Sequence, residues 1–322
     1  CILCSVCMVR ASAFKPLSMR LLFLFLFFSS TVLISMQWQT SRFQIDLQAP
    51  KVMGIVNVTP DSFSDGGSHD NVSAALAHCE TLIEQGAHIL DIGGESTRPG
   101  RRVVPLDVGL ERVLPVVQAA RSLGIPLSVD TYKPEVMRAA LDAGADIIND
   151  IWALRQPGAR EVVQAHPNCG VCLMHMHRDP QTMQVQTMHG DVTADVLAFL
   201  ETHASELIAA GVARDRIVLD AGIGFGKTVE QNFALLAHQD AMAQSSGYPW
   251  LAGWSRKSSL GAVTGLPVDQ RLGASVAAAV LSVDRGARVV RVHDVRDTVA
   301  ALQVWAAMKL HDRPSTHQSS KN

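Results

Sequence analysis

Eight times between Lys51 and His293, a short apolar run ends in a polar residue and gives way to an amphipathic stretch. No other feature limits the possible folds of this chain so strongly. The runs are Val52–Val56, His88–Asp91, Leu127–Asp130, Asp146–Asn149, Val171–Met174, Ile217–Asp220, Trp250–Ala252 and Arg288–Val292. Each is too short for a helix and the right length for a buried strand. The stretches between them repeat apolar residues at helical spacing. Val72, Ala75, Leu76, Cys79, Leu82 and Ile83 share one face, with Asn71 as the expected cap. Leu110, Val113, Leu114 and Val117 form a second face, and Val136, Ala139, Ala140 and Ala143 a third. A short helix is expected across Gly158–His166 and a long one from about Thr193 to Ala210. Others are expected from about Val229 and over Gln270–Val283, and a last one carries Val295, Val299, Leu302 and Ala306. Strand–helix alternation predicts an α/β fold with parallel strands. Eight units without a break in composition predict one closed (β/α)₈ TIM barrel, a fold of about 250 residues. A doubly wound open sheet is the other topology that alternation allows. The barrel accounts for residues 45–312. Residues 1–44 form an N-terminal extension with a short apolar segment, and 313–322 a polar tail.

The polar residues that end the runs carry the functional signal. Asn57, Asp91, Asp130, Asn149, His175, Asp220, Ser255 and His293 stand at or just past the C-terminal end of a strand. One such residue usually caps the next helix. At least six arranged this way point to a shared site, because in a barrel those ends converge on one face. Asp130, Asn149 and Asp220 offer two carboxylates and an amide, which suit the N–H edge of a planar, nitrogen-rich heterocycle. Arg98, Arg256, Lys257, Arg291 and His293 add positive charge that a polyphosphate would satisfy. The run Gly222, Gly224, Gly226, Lys227, Thr228 resembles the end of a phosphate-binding loop. The pattern needs glycine where Ala221 stands, so we read these glycines as a flexible loop that lets backbone approach a flat ligand.

Composition removes several alternatives. Apolar residues make up 48% and charged residues 18%, which is globular rather than disordered. A formal net charge of −2 lacks the basic surplus of nucleic-acid-binding domains, so no nucleic-acid partner is expected. The six cysteines, Cys1, Cys4, Cys7, Cys79, Cys169 and Cys172, are too few and too clustered for a disulfide scaffold. Cys169 and Cys172 have redox-motif spacing, but Cys172 falls within an apolar strand, and both are read as buried thiols. The triplet at Cys1, Cys4 and Cys7 lacks the fourth cysteine of an iron–sulfur motif.

The extension poses a separate question. Residues 21–28 read Leu-Leu-Phe-Leu-Phe-Leu-Phe-Phe, and the apolar segment continues to about residue 34, preceded by Lys15 and Arg20. The segment is shorter than the roughly 20 residues that cross a bilayer, and no small-residue cleavage site follows it. A membrane anchor, a secretion signal and translated upstream sequence are all open. We take the natural start as Met36, which makes the protein cytoplasmic, with a membrane partner only if the apolar segment is real.

Eight blocks in order carry a family resemblance. The segment Asn57-Val-Thr-Pro-Asp-Ser-Phe-Ser-Asp-Gly-Gly67 resembles the first signature of the dihydropteroate synthases, and Gly93-Gly-Glu-Ser-Thr-Arg-Pro-Gly100 the second. Ser128-Val-Asp-Thr131, Ile147-Ile-Asn-Asp150, Leu173-Met-His-Met176, Gly224-Phe-Gly-Lys227, Ser255-Arg-Lys-Ser258 and Arg291-Val-His-Asp294 are similar to further blocks of that pterin-binding barrel family. The resemblance spans roughly residues 51–310. It implies a transferase of folate biosynthesis that joins p-aminobenzoate to a pterin pyrophosphate, a sulfonamide target, with Mg²⁺ as cofactor and a homodimer as assembly. By the same resemblance, Asp130, Asn149, Met174, Asp220, Phe225, Lys257 and Arg291 hold the pterin. Phe63, Thr97, Pro99, Lys257 and Ser258 shape the p-aminobenzoate pocket. Asn57, Arg98, Arg291 and His293 handle pyrophosphate, with Asn57 on the metal. Asp65 and Thr97 lie on mobile loops. The catalytic set is then Asn57, Arg98, Asp130, Lys257, Arg291 and His293, with Asp91 in a supporting place.

Read alone, Phe63, Met174 and Phe225 are as consistent with core packing. Four residues depart from the familiar pattern: Ala221, Ile223, Trp254 and Tyr132 stand where many members carry proline, phenylalanine, a smaller residue and a small residue. They bear on fine specificity. A pterin-dependent corrinoid methyltransferase barrel is the first rival and needs no pyrophosphate groups. A non-catalytic pterin-binding paralogue is the second.

Overall fold

The computed structural model describes residues 36–58, 68–95, 104–179, 183 and 187–312. Eight strands close into a parallel barrel: β3 (Lys51–Asn57), β4 (Ile89–Gly93), β5 (Leu127–Asp130), β6 (Ile147–Asp150), β7 (Gly170–Met174), β8 (Ile217–Asp220), β9 (Trp250–Ala252) and β10 (Ala287–Val292). Closure comes from β10 pairing with β3, with Val290 opposite Val52 and Val292 opposite Gly54. The single closed barrel is therefore the fold, and the open sheet is excluded. Strands β4, β6, β7, β8 and β9 are buried at every position. That is the burial a sheet acquires when one face fills a barrel and the other meets helices.

Ten helices follow in the described residues: α1 (Ser68–Glu84), α2 (Leu106–Ala120), α3 (Pro134–Ala143), α4 (Ala159–Ala165), α5 (Val192–Ala209), α6 (Val229–Ala237), α7 (Gln239–Ser246), α8 (Ser258–Thr264), α9 (Leu272–Asp284) and α10 (Val295–His311). Their apolar faces meet the outside of the barrel in one large core, which includes Cys79, Leu82, Val113, Val117, Met137, Ala140 and Leu302. Local chemistry sets their ends. Pro134 opens α3 in its first turn, where its missing N–H is no loss. Thr228 and Gln231 cap α6 reciprocally, each side chain taking the other's backbone N–H.

Three local expectations change. Asn71 does not cap the first helix, which begins at Ser68; aspartate and asparagine are tolerated in a first helical turn as well as before it. The helical stretch after β8 is split into α6 and α7 at His238. A short helix, α8, precedes the one expected over Gln270–Val283, which itself starts at Leu272.

A hairpin precedes the barrel. Strands β1 (Gln37–Gln39) and β2 (Gln44–Asp46) pair antiparallel, with Trp38 opposite Ile45. The residue 44/45 division falls inside this hairpin. Trp38, Ile45 and Leu47 pack on Met53, Ile89, Ile147, Cys172, Val218, Leu251 and Val289, the inward residues nearest the strand N-termini. The hairpin thus plugs the end of the barrel opposite the polar strand ends. Trp38 is fully buried, and its indole N–H donates to the Arg216 carbonyl at 3.0 Å. Asp146 ties hairpin to barrel: it accepts from Arg42 Nη2 at 2.6 Å, Arg42 Nε at 2.9 Å and Leu127 N at 2.9 Å.

Cys79, Cys169 and Cys172 are buried free thiols. Burial pushes all three toward the protonated form, Cys79 to about 11. No helix among the described residues is long and apolar enough to cross a membrane.

Candidate active site

Strand parity decides what enters the barrel. Side chains alternate, so the residue two positions beyond an inward apolar residue also faces inward. Above Met53, Ile147, Cys172, Val218, Leu251 and Val289 stand Ile55, Asn149, Met174, Asp220, Gly253 and Arg291. One further step brings Asn57 and His293. With Asp130 they line a cavity of about 530 Å³ at the C-terminal mouth of the barrel. The loops after β8 and β9 add Ile223, Gly224, Phe225, Lys257 and Ser258. Ten of the expected site residues therefore meet: Asn57, Asp130, Asn149, Met174, Asp220, Phe225, Lys257, Ser258, Arg291 and His293. Phe63, Asp65, Thr97, Arg98 and Pro99 lie outside the described residues.

An ion network forms the floor. Asp91 is fully buried and accepts from Ser128 Oγ at 2.5 Å, Asn149 Nδ2 at 3.2 Å and Arg291 Nε at 2.5 Å. Arg291 also donates through Nη2 to Asp130 at 2.8 Å. One guanidinium thus bridges two carboxylates, and the fork geometry fixes its plane. Burial pushes the Asp130 carboxyl above the usual range; Arg291 opposes the shift and Asp91 reinforces it. Burial also raises Asp220, against the Gly222 N–H that it accepts at 2.8 Å and the nearby Lys257. Lys257 Nζ stands 4.3 Å from the Phe225 ring centroid, within cation–π range. Ser255 Oγ accepts from His293 N at 3.1 Å and lies 2.9 Å from His293 Nδ1, which orients the imidazole over the cavity.

Several residues take other places. His175 does not line the cavity. It follows inward Met174, so it faces outward, where Phe199 of α5 packs edge-on against it at 4.8 Å. Arg256 lines the rim with its charge matched by a two-point pair to Asp294 at 2.5 and 3.1 Å. The glycines after β8 serve close packing within the chain rather than flexibility. A Cβ at Gly222, where φ is +67°, would come within 1.8 Å of the His175 carbonyl oxygen, and one at Gly226 within 2.6 Å of His177 Cβ. Of the four unusual residues, Ile223 lines the cavity and Ala221 packs in the core. Trp254 packs on Phe233 at 5.2 Å, away from the cavity. Tyr132 donates its hydroxyl to Glu95 Oε1 at 3.1 Å.

Some lining residues had no assigned role. Glu95, in the second block, accepts from Tyr132, Lys133 Nζ at 2.9 Å and Val104 N at 2.9 Å, and so ties the end of β4 to the start of α2 and to the segment after β5. Val268 and Arg271 come from the connection between α8 and α9, and no local pattern marks them. Arg271 donates to the carbonyls of Arg256 at 3.1 Å and Lys257 at 3.4 Å.

The carboxylates and amide of this cavity suit a planar ligand rich in N–H donors, and the cationic groups beside them suit an anion. Known proteins agree with it. A family model described as pterin binding enzyme matches residues 53–293. The dihydropteroate synthase of Neisseria meningitidis serogroup B is 48% identical over 279 residues, covering 85% of this chain and 98% of that protein. The chain belongs to the dihydropteroate synthase family. The crystal structure of Burkholderia cenocepacia dihydropteroate synthase complexed with 7,8-dihydropteroate superimposes with a TM-score of 0.78 at 52% identity, covering 86% of this chain and 98% of that one. That of Xanthomonas albilineans dihydropteroate synthase with 4-aminobenzoic acid gives 0.80 at 49%, covering 85% and 98%. Within the described residues, the eight blocks of the dihydropteroate synthase resemblance fall on the barrel strands at their C-terminal ends or directly after them. That placement is why they occur in order: each strand supplies one piece of a single mouth.

Proposed function

We propose that the chain condenses 6-hydroxymethyl-7,8-dihydropterin pyrophosphate with p-aminobenzoate, giving 7,8-dihydropteroate and pyrophosphate. One observation carries this reading: Asp130, Asn149 and Asp220 converge with Lys257 and Arg291 in a single cavity. The relatives' names point the same way, since one is complexed with 7,8-dihydropteroate and another with 4-aminobenzoic acid.

The two carboxylates and the amide receive the donor edge of the pterin. Burial makes the anionic forms of Asp130 and Asp220 costly, so they gain most from ring N–H donors. The reaction is a substitution at the pterin methylene carbon. The C–O bond to pyrophosphate breaks with its electron pair leaving on oxygen, the aryl amine nitrogen forms the new C–N bond, and its surplus proton passes to solvent. Positive charge that develops on the ring lies against Asp130 and Asp220, while Arg291 and His293 face the leaving anion. Lys257, which borders both the Phe225 wall and Ser258, divides the pterin subsite from the p-aminobenzoate subsite. No strong base is required, because an aniline nitrogen carries a free lone pair. Catalysis is then mostly positioning and charge stabilisation.

Mg²⁺ fits this site as a partner of the pyrophosphate. No group of three His, Cys, Asp or Glu among the described residues could hold a metal unaided. Asn57, exposed at the mouth, offers one amide oxygen, the kind of hard ligand that accompanies a Mg²⁺ held largely by phosphate oxygens. When bound, the ion would neutralise leaving-group charge. We propose further that the protein is a cytoplasmic homodimer, with the β1–β2 hairpin belonging to the barrel domain.

The test is direct. Incubation with the pterin pyrophosphate, p-aminobenzoate and Mg²⁺ should release pyrophosphate only when both organic substrates are present, with dihydropteroate as the second product. Pterin binding without turnover would instead indicate a paralogue that only binds. Methyl transfer to a corrinoid would indicate the methyltransferase reading.

A further inference from the structure

The chemistry above uses the half-buried Lys257 and Arg291 and leaves the buried Lys227 without a role. Lys227, 3% exposed, follows the loop after β8 and does not line the cavity. Its ammonium donates to His175 Nδ1 at 2.9 Å, Gly222 O at 3.0 Å and Phe225 O at 3.1 Å, with His175 O at 3.4 Å. An ammonium has three protons, and these acceptors saturate it. All four are neutral. Burial pushes the ammonium down to about 7, opposed by the charge of the nearby Asp220, and an apolar side chain of similar length would fill the space. The geometry shows what the charge accomplishes. Its acceptors belong to two segments, the end of β7 and the Gly222–Phe225 turn, so the ammonium draws them together. Gly222 is glycine because that approach leaves no room for a Cβ. The same turn presents Ile223, Gly224 and Phe225 to the cavity, and Phe225 carries Lys257 on its face.

His175 is built to be the acceptor. Burial, then the neighbouring Lys227, Arg155 and His177, push its basicity down to about 2, so the ring is neutral. Its Nδ1 lone pair faces Lys227, which places the ring proton on Nε2. Phe199 seats the ring from the α5 side.

We propose that Lys227 is a positioning residue for the pterin subsite: held by His175, it pulls the Gly222–Phe225 turn onto β7 and so sets where Phe225 and Gly224 meet the ligand. This deepens the reading of the cavity as a pterin site and rests on it.

The experiment compares Lys227→Met, His175→Leu and His175→Asn with the wild type. The readouts are pterin affinity by fluorescence titration, KM for each substrate, kcat and the thermal midpoint. Lys227→Met should weaken pterin affinity by about tenfold or more, the order expected from losing charge-assisted hydrogen bonds, and change the KM for p-aminobenzoate far less. His175→Leu should act the same way and guards against a Lys227 variant that fails to fold. His175→Asn, whose amide oxygen reaches the place of Nδ1, should recover most of the affinity. Folded variants with unchanged pterin affinity would overturn the proposal. So would a fall in thermal midpoint and active fraction with both KM values unchanged, or an Asn variant no better than Leu. Failure of the wild type to bind pterin would overturn the underlying functional reading, and is seen before any variant is compared.

Discussion

Asp130 shows how one side chain can be both structural and functional. It is paired to Arg291, yet burial still lifts its carboxyl above the usual range. A ring N–H donor needs the ionised form. Affinity for a pterin should therefore be constant above the raised value and fall as pH drops through it, because protons then compete with the ligand. The loss is at most about tenfold per pH unit for one group. Fluorescence titration from pH 8 to 5 should show that Asp130→Asn binds more weakly at pH 8 but loses less affinity on acidification. Equal slopes in both proteins would remove Asp130 from the contact. Asp130, Asn149 and Asp220 were legible in the sequence because a polar residue ending an apolar strand is a strong local signal. His175 gave the same signal and faces the other way, bonded to Lys227. The difference is parity: it follows inward Met174 by one position, and inward or outward is settled only when the barrel closes.

Strands and helices were legible from periodicity, since burial on both sides of a strand and on one side of a helix leaves different patterns. The hairpin β1–β2 was not, because three-residue strands carry too little alternation to register. Its attachment rests on Asp146, whose side chain is fully buried while that of Arg42 is 27% exposed. Removing the buried partner strands Leu127 N and frees the hairpin turn; removing the exposed side chain leaves a carboxylate still held by two backbone N–H groups. Asp146→Ala should cost about 3 kcal/mol, and Arg42→Met about 1 kcal/mol, in urea unfolding. Equal costs would mean that the ion pair, not the buried acceptor, secures the hairpin.

The molecule as a whole divides its barrel into a dry end and a polar end. Trp38, Ile45 and Leu47 fill the N-terminal mouth, and the carboxylates, Lys257 and Arg291 occupy the other. Trp38→Ala should cost about 3–5 kcal/mol, as for other buried aromatics, and lower the thermal midpoint. Both KM values should stay unchanged, since the apolar layer lies between the plug and the site. A shift in KM without loss of stability would argue that the plug reaches the site. Hydrophobic period, strand-end polarity and ordered blocks are local properties, so they were readable along the chain and sufficed for a barrel with one mouth. Plugging, the direction in which His175 points, and the meeting of Lys227 with a turn and a strand end depend on residues far apart in sequence. Those were decided by closure, which alone specifies which side of each strand becomes the interior.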